Sequence, residues 1–572
     1  MKPVAQLRRR ITGDAGAWPE HVLPLLRRLY AARGALDVEQ AQPRLAHLLP
    51  PDTLGGLDAA TTLLADAIAD DRHIVVVGDF DCDGATACAV GVRGLRMLGA
   101  RRVSHAVPNR MVHGYGLSPA LVEELAALKP DLLVTVDHGI ACHAGVTAAK
   151  ARGWQVLVTD HHLPGDGLPP ADAIVDPNLP GDAFPSKALA GVGVMFYVLL
   201  ALRRRLREQG AFTGAEPDLA TLLDLVAVGT VADLVALDAN NRALVAAGLR
   251  RIRSGQGCAG LRALIEVAQR DPRRLTASDI GFAIAPRLNA AGRLEDMALG
   301  IECLLTDDIH QARDIAATLN EINGERRAVQ QQMTDEAEAA LARVSLLDGG
   351  ATPVAVCLFD ADWHPGVIGL VASKIKERLH RPVVAFAPGE PGGSLLRGSG
   401  RSIPGFHIRD ALAEVAACHP GLIDRFGGHA MAAGMSLRIE AFADFQQAFQ
   451  GCAARRLTAE LLQADVLSDG ELLAEEFCRP SAEALRDGGP WGQGFPEPQF
   501  DGEFDVLATR VVGGRHLKLE LGHAGLRLNA IHFGGGEGEA PAGRVRIAYR
   551  LEPDDYRGGD AIQLVVTHRE PA

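Results

Sequence analysis

The segment Gly78–Gly84, GDFDCDG, alternates three aspartates with other residues between two glycines. On an extended loop Asp79, Asp81 and Asp83 would aim to one side, into a small volume. Carboxylates crowded in that way repel one another until a cation lies between them. Taken alone, the heptapeptide can also be read as a solvent-facing acidic turn, because turns favour Asp and Gly. Other segments weaken that reading. Asp137 follows the apolar run LLVTV, Asp160, His161 and His162 follow QVLVT, and Asp233 follows DLVAVGTVA. Carboxylates and neutral imidazoles form a mixed hard and borderline ligand set suited to Mn2+, Mg2+ or Zn2+. Such a set can hold two ions ~4 Å apart, which activate a water and steady the oxygens of a phosphoryl group. Adjacent histidines point different ways, so one of His161 and His162 can bind metal while the other meets a phosphate. Cys82 reads as a small packing residue among the acids. His138 adjoins Asp137 and could support it without binding metal; His143 reads as a helix-start or surface residue.

Basic and glycine-rich segments accompany these acids. Arg110 lies in PNRMVHGYGLS, and Arg287 and Arg293 flank a small-residue turn in APRLNAAGRLED. Arg397, Ser399 and Arg401 lie in RGSGRSIPGFH, and His429 in RFGGHAMAAG. Glycine-rich loops expose backbone N–H groups to phosphate oxygens, and arginine matches those oxygens in bidentate fashion. Beside a metal site they point to an elongated polyanionic ligand. Near the end, GGRHLKLEL carries Arg515, His516 and Lys518. They are either ordinary solvated charge or a strand face that takes single-stranded nucleic acid.

The elements that must position these residues follow from hydrophobic period. Short β-branched runs at 74–77, 131–139, 155–162 and 171–178 alternate with helical stretches such as SPALVEELAAL. That alternation predicts a parallel α/β sheet, whose strand carboxyl ends form the ligand crevice. From Thr86 the pattern predicts a helix, and residues 306–342 predict a long polar one. A second α/β pattern runs from 352 to about 450, and from about 467 strand-period segments between glycine turns predict a small β-barrel. The most apolar stretch, ALAGVGVMFYVLLAL, falls short of the roughly 18 residues that a membrane span needs and reads as a buried helix.

Composition sets bounds on this reading. The 572 residues carry a formal charge of −13, which excludes wrapping of nucleic acid by the whole surface but leaves room for a local basic channel. Nine dispersed cysteines without a CxxC pair fit a reducing cytoplasm rather than a disulfide framework or zinc knuckle. The first twenty residues are basic without the apolar core of a secretory signal.

GDFDCDG, VDHG, TDHH, GTVAD and GGHAMAAG in this order resemble the DHH phosphoesterase superfamily. VPNRMVHGYGLS, APRLNAAGR, DWHPGVIGLVASKIKE, RSIPGFHIRDAL and GPWGQGFPEPQF resemble its branch of bacterial single-strand-specific DNA exonucleases, over about residues 50–570. The resemblance implies an N-terminal lead-in (1–45), a parallel-sheet DHH catalytic domain (46–300), a connecting helix (301–345), a second α/β domain of DHHA1 type (346–455) and an OB-like barrel (456–572). It implies a catalytic groove between the DHH and DHHA1 domains. It further implies 5′-to-3′ digestion of single-stranded DNA to 5′-mononucleotides by two ions of Mn2+ or Mg2+, in recombination and repair. The implied metal ligands are Asp81, Asp83, Asp137, His161 and Asp233, with Asp79 a further acid. His162 is the implied phosphate contact, Arg110, Arg287, Ser399 and Arg401 the 5′-phosphate pocket, and Arg293 and His429 neighbours of the DNA. Implied partners are the single-strand-binding protein and a RecQ-like helicase, for a cytoplasmic monomer with no membrane association. VDHG departs from the commoner VDNG, which leaves the role of His138 open, and His113 stands where polar or acidic residues are frequent. The rival readings are a small-molecule phosphodiesterase or pyrophosphatase on the same metals and a non-catalytic DNA-binding protein.

Overall fold

The computed structural model of the chain describes residues 6–11, 18–110, 112–165, 167–347, 353–390, 392–536 and 540–572. Parts of the N-terminal segment read above for a signal, 1–5 and 12–17, lie outside the described residues, as do residues 348–352, next to the expected junction at 346. The described residues form two compact units, one of residues 9–323 with 468–572, the other of residues 324–467 with 6–8.

The first unit is built on a parallel sheet of β1 (Ile74–Val77), β2 (Val103–Ala106), β3 (Leu132–Val136), β4 (Gln155–Thr159) and β5 (Ala173–Val175), in the order β2-β1-β3-β4-β5. The runs IVVV of β1 and LLVTV of β3 are buried throughout, as strands covered on both faces must be. Strand order reverses at β1, and ligands in such sheets bind at the carboxyl ends beside that switch point. Asp79 and Asp137 stand just beyond β1 and β3.

Two helices deliver Asp81, Asp83 and Asp233, and a third packs beside them; of the three, the first departs from the sequence expectation. Helix α1 (Cys82–Met97) starts inside the acidic heptapeptide rather than near Thr86. Asp81 is its N-cap, accepting the Gly84 N–H at 3.0 Å, a position aspartate favours. The three acids therefore do not share an extended loop; Asp83 sits in the first helical turn. Helix α2 (Gly191–Glu208) contains most of the long apolar stretch and is buried along most of its length. Helix α3 (Leu223–Ala232) ends at Asp233, its C-cap, so this acid arrives from a helix. A Cβ placed on Gly229 of α3 would overlap Thr86 Oγ1 and lie 2.7 Å from Asp83 Oδ1. The small residues expected to form a turn around Arg287 and Arg293 lie instead in helix α4 (Ala285–Leu294). They permit close packing: a Cβ on Gly292 would overlap the carbonyl oxygen of Phe80.

The polar helix predicted over 306–342 spans Ile309–Leu347 and carries the chain into the other unit. That unit holds a five-stranded sheet in the order Arg425–Gly428, Ala432–Arg438, Leu395–Arg401, Val383–Pro388, Val356–Phe359. RGSGR and RFGG, expected as glycine-rich loops, belong to strands. Alternation along the strand places Arg397, Ser399 and Arg401 on one face. In the first unit, strands Phe500–Val512, His516–His523, Leu526–His532, Ile562–Pro571 and Arg544–Pro553 close into a barrel, which supplies the OB-type fold. All nine cysteines are free, and among the described residues no helix is long and apolar enough to cross a membrane.

The α1–α3 contact yields a direct expectation. Gly229→Ala should cost about 1–3 kcal/mol by overpacking and should displace Asp83. A lowered melting temperature would bear this out; an unchanged one would show that the helices separate freely.

Candidate metal centre

The acids and histidines converge at the carboxyl end of the sheet. Ligand atoms of Asp79, Asp81 and Asp137 lie within 4.8 Å of one another, as do those of Asp83, His161 and Asp233, and those of Asp137, His161 and His162. The groups overlap at Asp137 and His161. His161 Nε2 is 3.1 Å from Asp137 Oδ1 and 3.6 Å from Asp233 Oδ2.

Each side chain is fixed by its own local structure. Asp83 accepts the N–H groups of Gly191 at 2.6 Å and Val192 at 3.0 Å, at the start of α2, where the helix dipole favours an anion. Asp233 has the opposite setting, at the end of α3, where the dipole disfavours negative charge. Asp137 takes a left-handed backbone (φ 65°), which aspartate tolerates better than most residues. A Cβ on Gly191 would overlap the Cβ of Asp137, so α2 can start there only with glycine. Asn289 Oδ1 on α4 accepts the Cys82 N–H at 2.8 Å and pins the acidic segment.

Asp160 proves to be a positioning residue. It accepts from the N–H groups of Ile140 at 2.9 Å, His161 at 2.7 Å and His162 at 3.1 Å, and from His162 Nδ1 at 2.8 Å. The two adjacent histidines have different neighbours. His161 faces the acids, while His162 is held by Asp160. Burial works against a charged His162, but the bond to Asp160 and that residue's charge outweigh it and lift the imidazole to about 9. Burial likewise opposes ionisation of Asp160, and the His162 bond and charge overcome it, holding this carboxyl below its usual range. His138 is buried, held near 4 by desolvation, and donates through Nε2 to the Val77 carbonyl at 3.0 Å. It is a neutral core residue joining the ends of β1 and β3. His143 begins a helix, as expected.

The cluster fits divalent cations. Asp79 Oδ1 is buried with no hydrogen-bond partner among the described residues, and Asp137 Oδ1 makes no hydrogen bond despite its histidine neighbour. Burial first, and then the charge of neighbouring aspartates, raises the carboxyls of Asp79, Asp83, Asp137 and Asp233. Positive charge in their midst removes both penalties.

The basic residues are placed in both units. Arg110 lies over the Phe80 ring at 3.8 Å and donates to the Gly292 carbonyl at 3.2 Å. Arg287 is buried, donating to Asn320 Oδ1 at 3.1 Å and to the Ala283 carbonyl. Arg293 is half-buried in the last turn of α4. In the other unit Arg401 Nη1 donates to Ser399 Oγ at 3.0 Å, beside Gly369, whose missing side chain leaves them room. His429 is exposed just after the edge strand Arg425–Gly428. The sequence reading passed over Asn289 and the positioning part of Asp160; nothing in residue type marks which polar group is satisfied by backbone.

Fold and site together define a DHH phosphoesterase. Residues 73–230 match the DHH family, N-terminal domain, residues 351–455 the DHHA1 domain and residues 468–568 the RecJ OB domain. The chain is 50% identical over 580 residues, covering 100% of both proteins, to the single-stranded-DNA-specific exonuclease RecJ of Dickeya dadantii. It is 48% identical to that of Escherichia coli, again over 100% of both. Among solved structures, RecJ of Thermus thermophilus in complex with Mn2+ is similar with a TM-score of 0.79 at 33% identity, covering 96% of this chain and 76% of that one. Its complex with Mg2+ gives 0.74 at 30% identity, covering 96% and 75%. The chain belongs to the RecJ family.

The raised carboxyls predict how the metal-free protein responds to pH. A group that holds its proton more tightly when folded stabilises the fold less as pH rises through its folded value. Asp83 is raised to about 7 and Asp233 to about 9, and the His162 contribution is also lost as pH passes about 9. Between pH 6.5 and 9 these shifts act in one direction. With chelator present the melting temperature should fall across this range, and saturating Mn2+ should flatten the decline. A metal-free melting temperature that rises from pH 6.5 to 9 would contradict the assignment.

Proposed function

We propose that the chain is a single-stranded-DNA-specific exonuclease that works from the 5′ end, releasing 5′-mononucleotides by phosphodiester hydrolysis with two divalent ions. The observation that carries this reading is the pair of ligand groups, Asp79–Asp81–Asp137 and Asp83–His161–Asp233, linked by the third group that Asp137 and His161 share with His162. The relatives' names support the substrate, and the Thermus thermophilus complexes support Mn2+ or Mg2+ as the ions.

Asp79, Asp81, Asp83, Asp137, His161 and Asp233 would hold the metal. When bound, such ions supply an activated water and offset charge on phosphate oxygens. The chain's own residues supply the rest. His162, its Nδ1 occupied by Asp160, presents Nε2 as the donor of a charged imidazole to a phosphate oxygen. Asp160 fixes which nitrogen does so. Arg110 and Arg287, with Ser399, Arg401, Arg293 and His429, serve as contacts to the terminal phosphate and the adjoining backbone. Holding the terminal phosphate sets direction, because backbone contacts carry register but no base sequence. Under this reading the chain comprises a DHH domain over 46–300, a connecting helix over 301–345, a DHHA1-type domain over 346–455 and an OB-like domain over 456–572. It acts in the cytoplasm as a monomer in recombination and repair, with the single-strand-binding protein and a RecQ-like helicase as partners.

Digestion of 5′-labelled and 3′-labelled single strands, with and without Mn2+, tests direction, product and metal need together. The 5′ label should appear at once as a mononucleotide, only with metal, while duplex DNA and dinucleotides react slowly. Asp137→Ala should reduce the rate by about 100- to 1,000-fold, the scale of losing a group that stabilises transition-state charge, in a folded protein. Preferred hydrolysis of dinucleotides would favour the small-molecule phosphodiesterase instead.

A further inference from the structure

One short segment, residues 187–192, is connected to four members of the metal cluster, directly to Asp83 and Asp137 and through two asparagines to the segments that carry His161 and Asp233. Its N–H groups at Gly191 and Val192 hold Asp83. Its Gly191 lies against Asp137. The other two connections run through asparagines with no place in the chemistry described so far. Asn178 Nδ2 donates to the His161 carbonyl at 2.6 Å and to the Lys187 carbonyl at 3.2 Å. Its backbone N–H is in turn fixed by Asp176 Oδ1 at 2.7 Å. Asn241 Nδ2 donates to the Ala188 carbonyl at 2.6 Å and to the Ala236 carbonyl at 2.9 Å, three residues beyond Asp233. Asn241 is fully buried.

We infer that Asn178 and Asn241 are positioning residues of the metal centre, each tying a ligand-bearing segment to the 187–192 backbone. An amide NH2 suits this task because it offers two donors, so a single side chain can bind two carbonyls at once. The bond to the His161 carbonyl restrains the backbone from which that imidazole projects. The bond to the Ala236 carbonyl restrains the chain as it leaves Asp233 and turns, through Leu234 with φ 61°, toward the next helix. Because both bonds end on neighbouring carbonyls, His161, Asp233 and Asp83 share one anchor, and displacement of that anchor moves all three. The inference rests on the metal-dependent reading above.

Mn2+ binding, measured on the full chain without DNA by electron paramagnetic resonance, tests it. Asn178→Ala and Asn241→Ala should each weaken Mn2+ binding by about 10–100-fold, the usual effect of removing a group that orients ligands. Activity should return at high Mn2+ with an unchanged KM for DNA, and Asn178→Gln should recover part of the affinity. A folded variant that binds Mn2+ as wild type does overturns the inference while leaving the nuclease reading intact. A wild-type chain that binds no Mn2+ overturns both. A second measurement needs no variant: Mn2+ should slow hydrogen exchange of the Gly191 and Val192 amides in the wild type, and unchanged exchange would refute the shared anchor.

Discussion

Repulsion among buried carboxylates is the constraint from which the catalytic half of this protein follows. Asp79, Asp83, Asp137 and Asp233 are brought together, each carboxyl raised by desolvation and by the charge of neighbouring aspartates. An arrangement of that kind costs stability unless cations complete it, so the fold must hold the acids against their own repulsion before metal arrives. It does so with backbone. The start of α2 grips Asp83, the left-handed turn at Asp137 follows β3, and glycines at 191, 229 and 292 let helices approach where any side chain would intervene. The histidines complete the arrangement, with His161 turned to Asp137 and Asp233 and His162 held by Asp160.

Much of this was legible from residue pattern. The runs IVVV and LLVTV announce strands buried on both faces, and an aspartate directly after each announces the crevice end of a parallel sheet. The long polar helix and the closed barrel also follow from period and turn residues. The glycines misled in a consistent direction. Those around Arg287 and Ser399 suggest loops because glycine favours turns, yet here they serve close packing inside a helix and a strand. Likewise Asp83 was placed on an extended loop because alternation resembles a strand, whereas Asp81 caps a helix that begins one residue later.

The parts that stayed hidden are the hydrogen-bonded supports. Asp160 looks like a ligand by type, and only its bonds to three backbone amides and one imidazole show that its oxygens are already engaged. Asn178, Asn241 and Asn289 carry no signal at all in a single sequence, because their role depends on which distant carbonyl or amide comes within reach. Family resemblance transfers ligands readily, since motifs are defined by them. The scaffolding that gives those ligands their geometry has to be seen.

Whether these acids hold a pair of divalent ions can be decided by anomalous diffraction at the manganese edge, from crystals of this chain grown with Mn2+. Two peaks ~4 Å apart are expected, one beside Asp79 and Asp81, the other beside Asp83 and Asp233, with Asp137 and His161 near both. An empty cluster in crystals that hold manganese elsewhere would contradict that pairing.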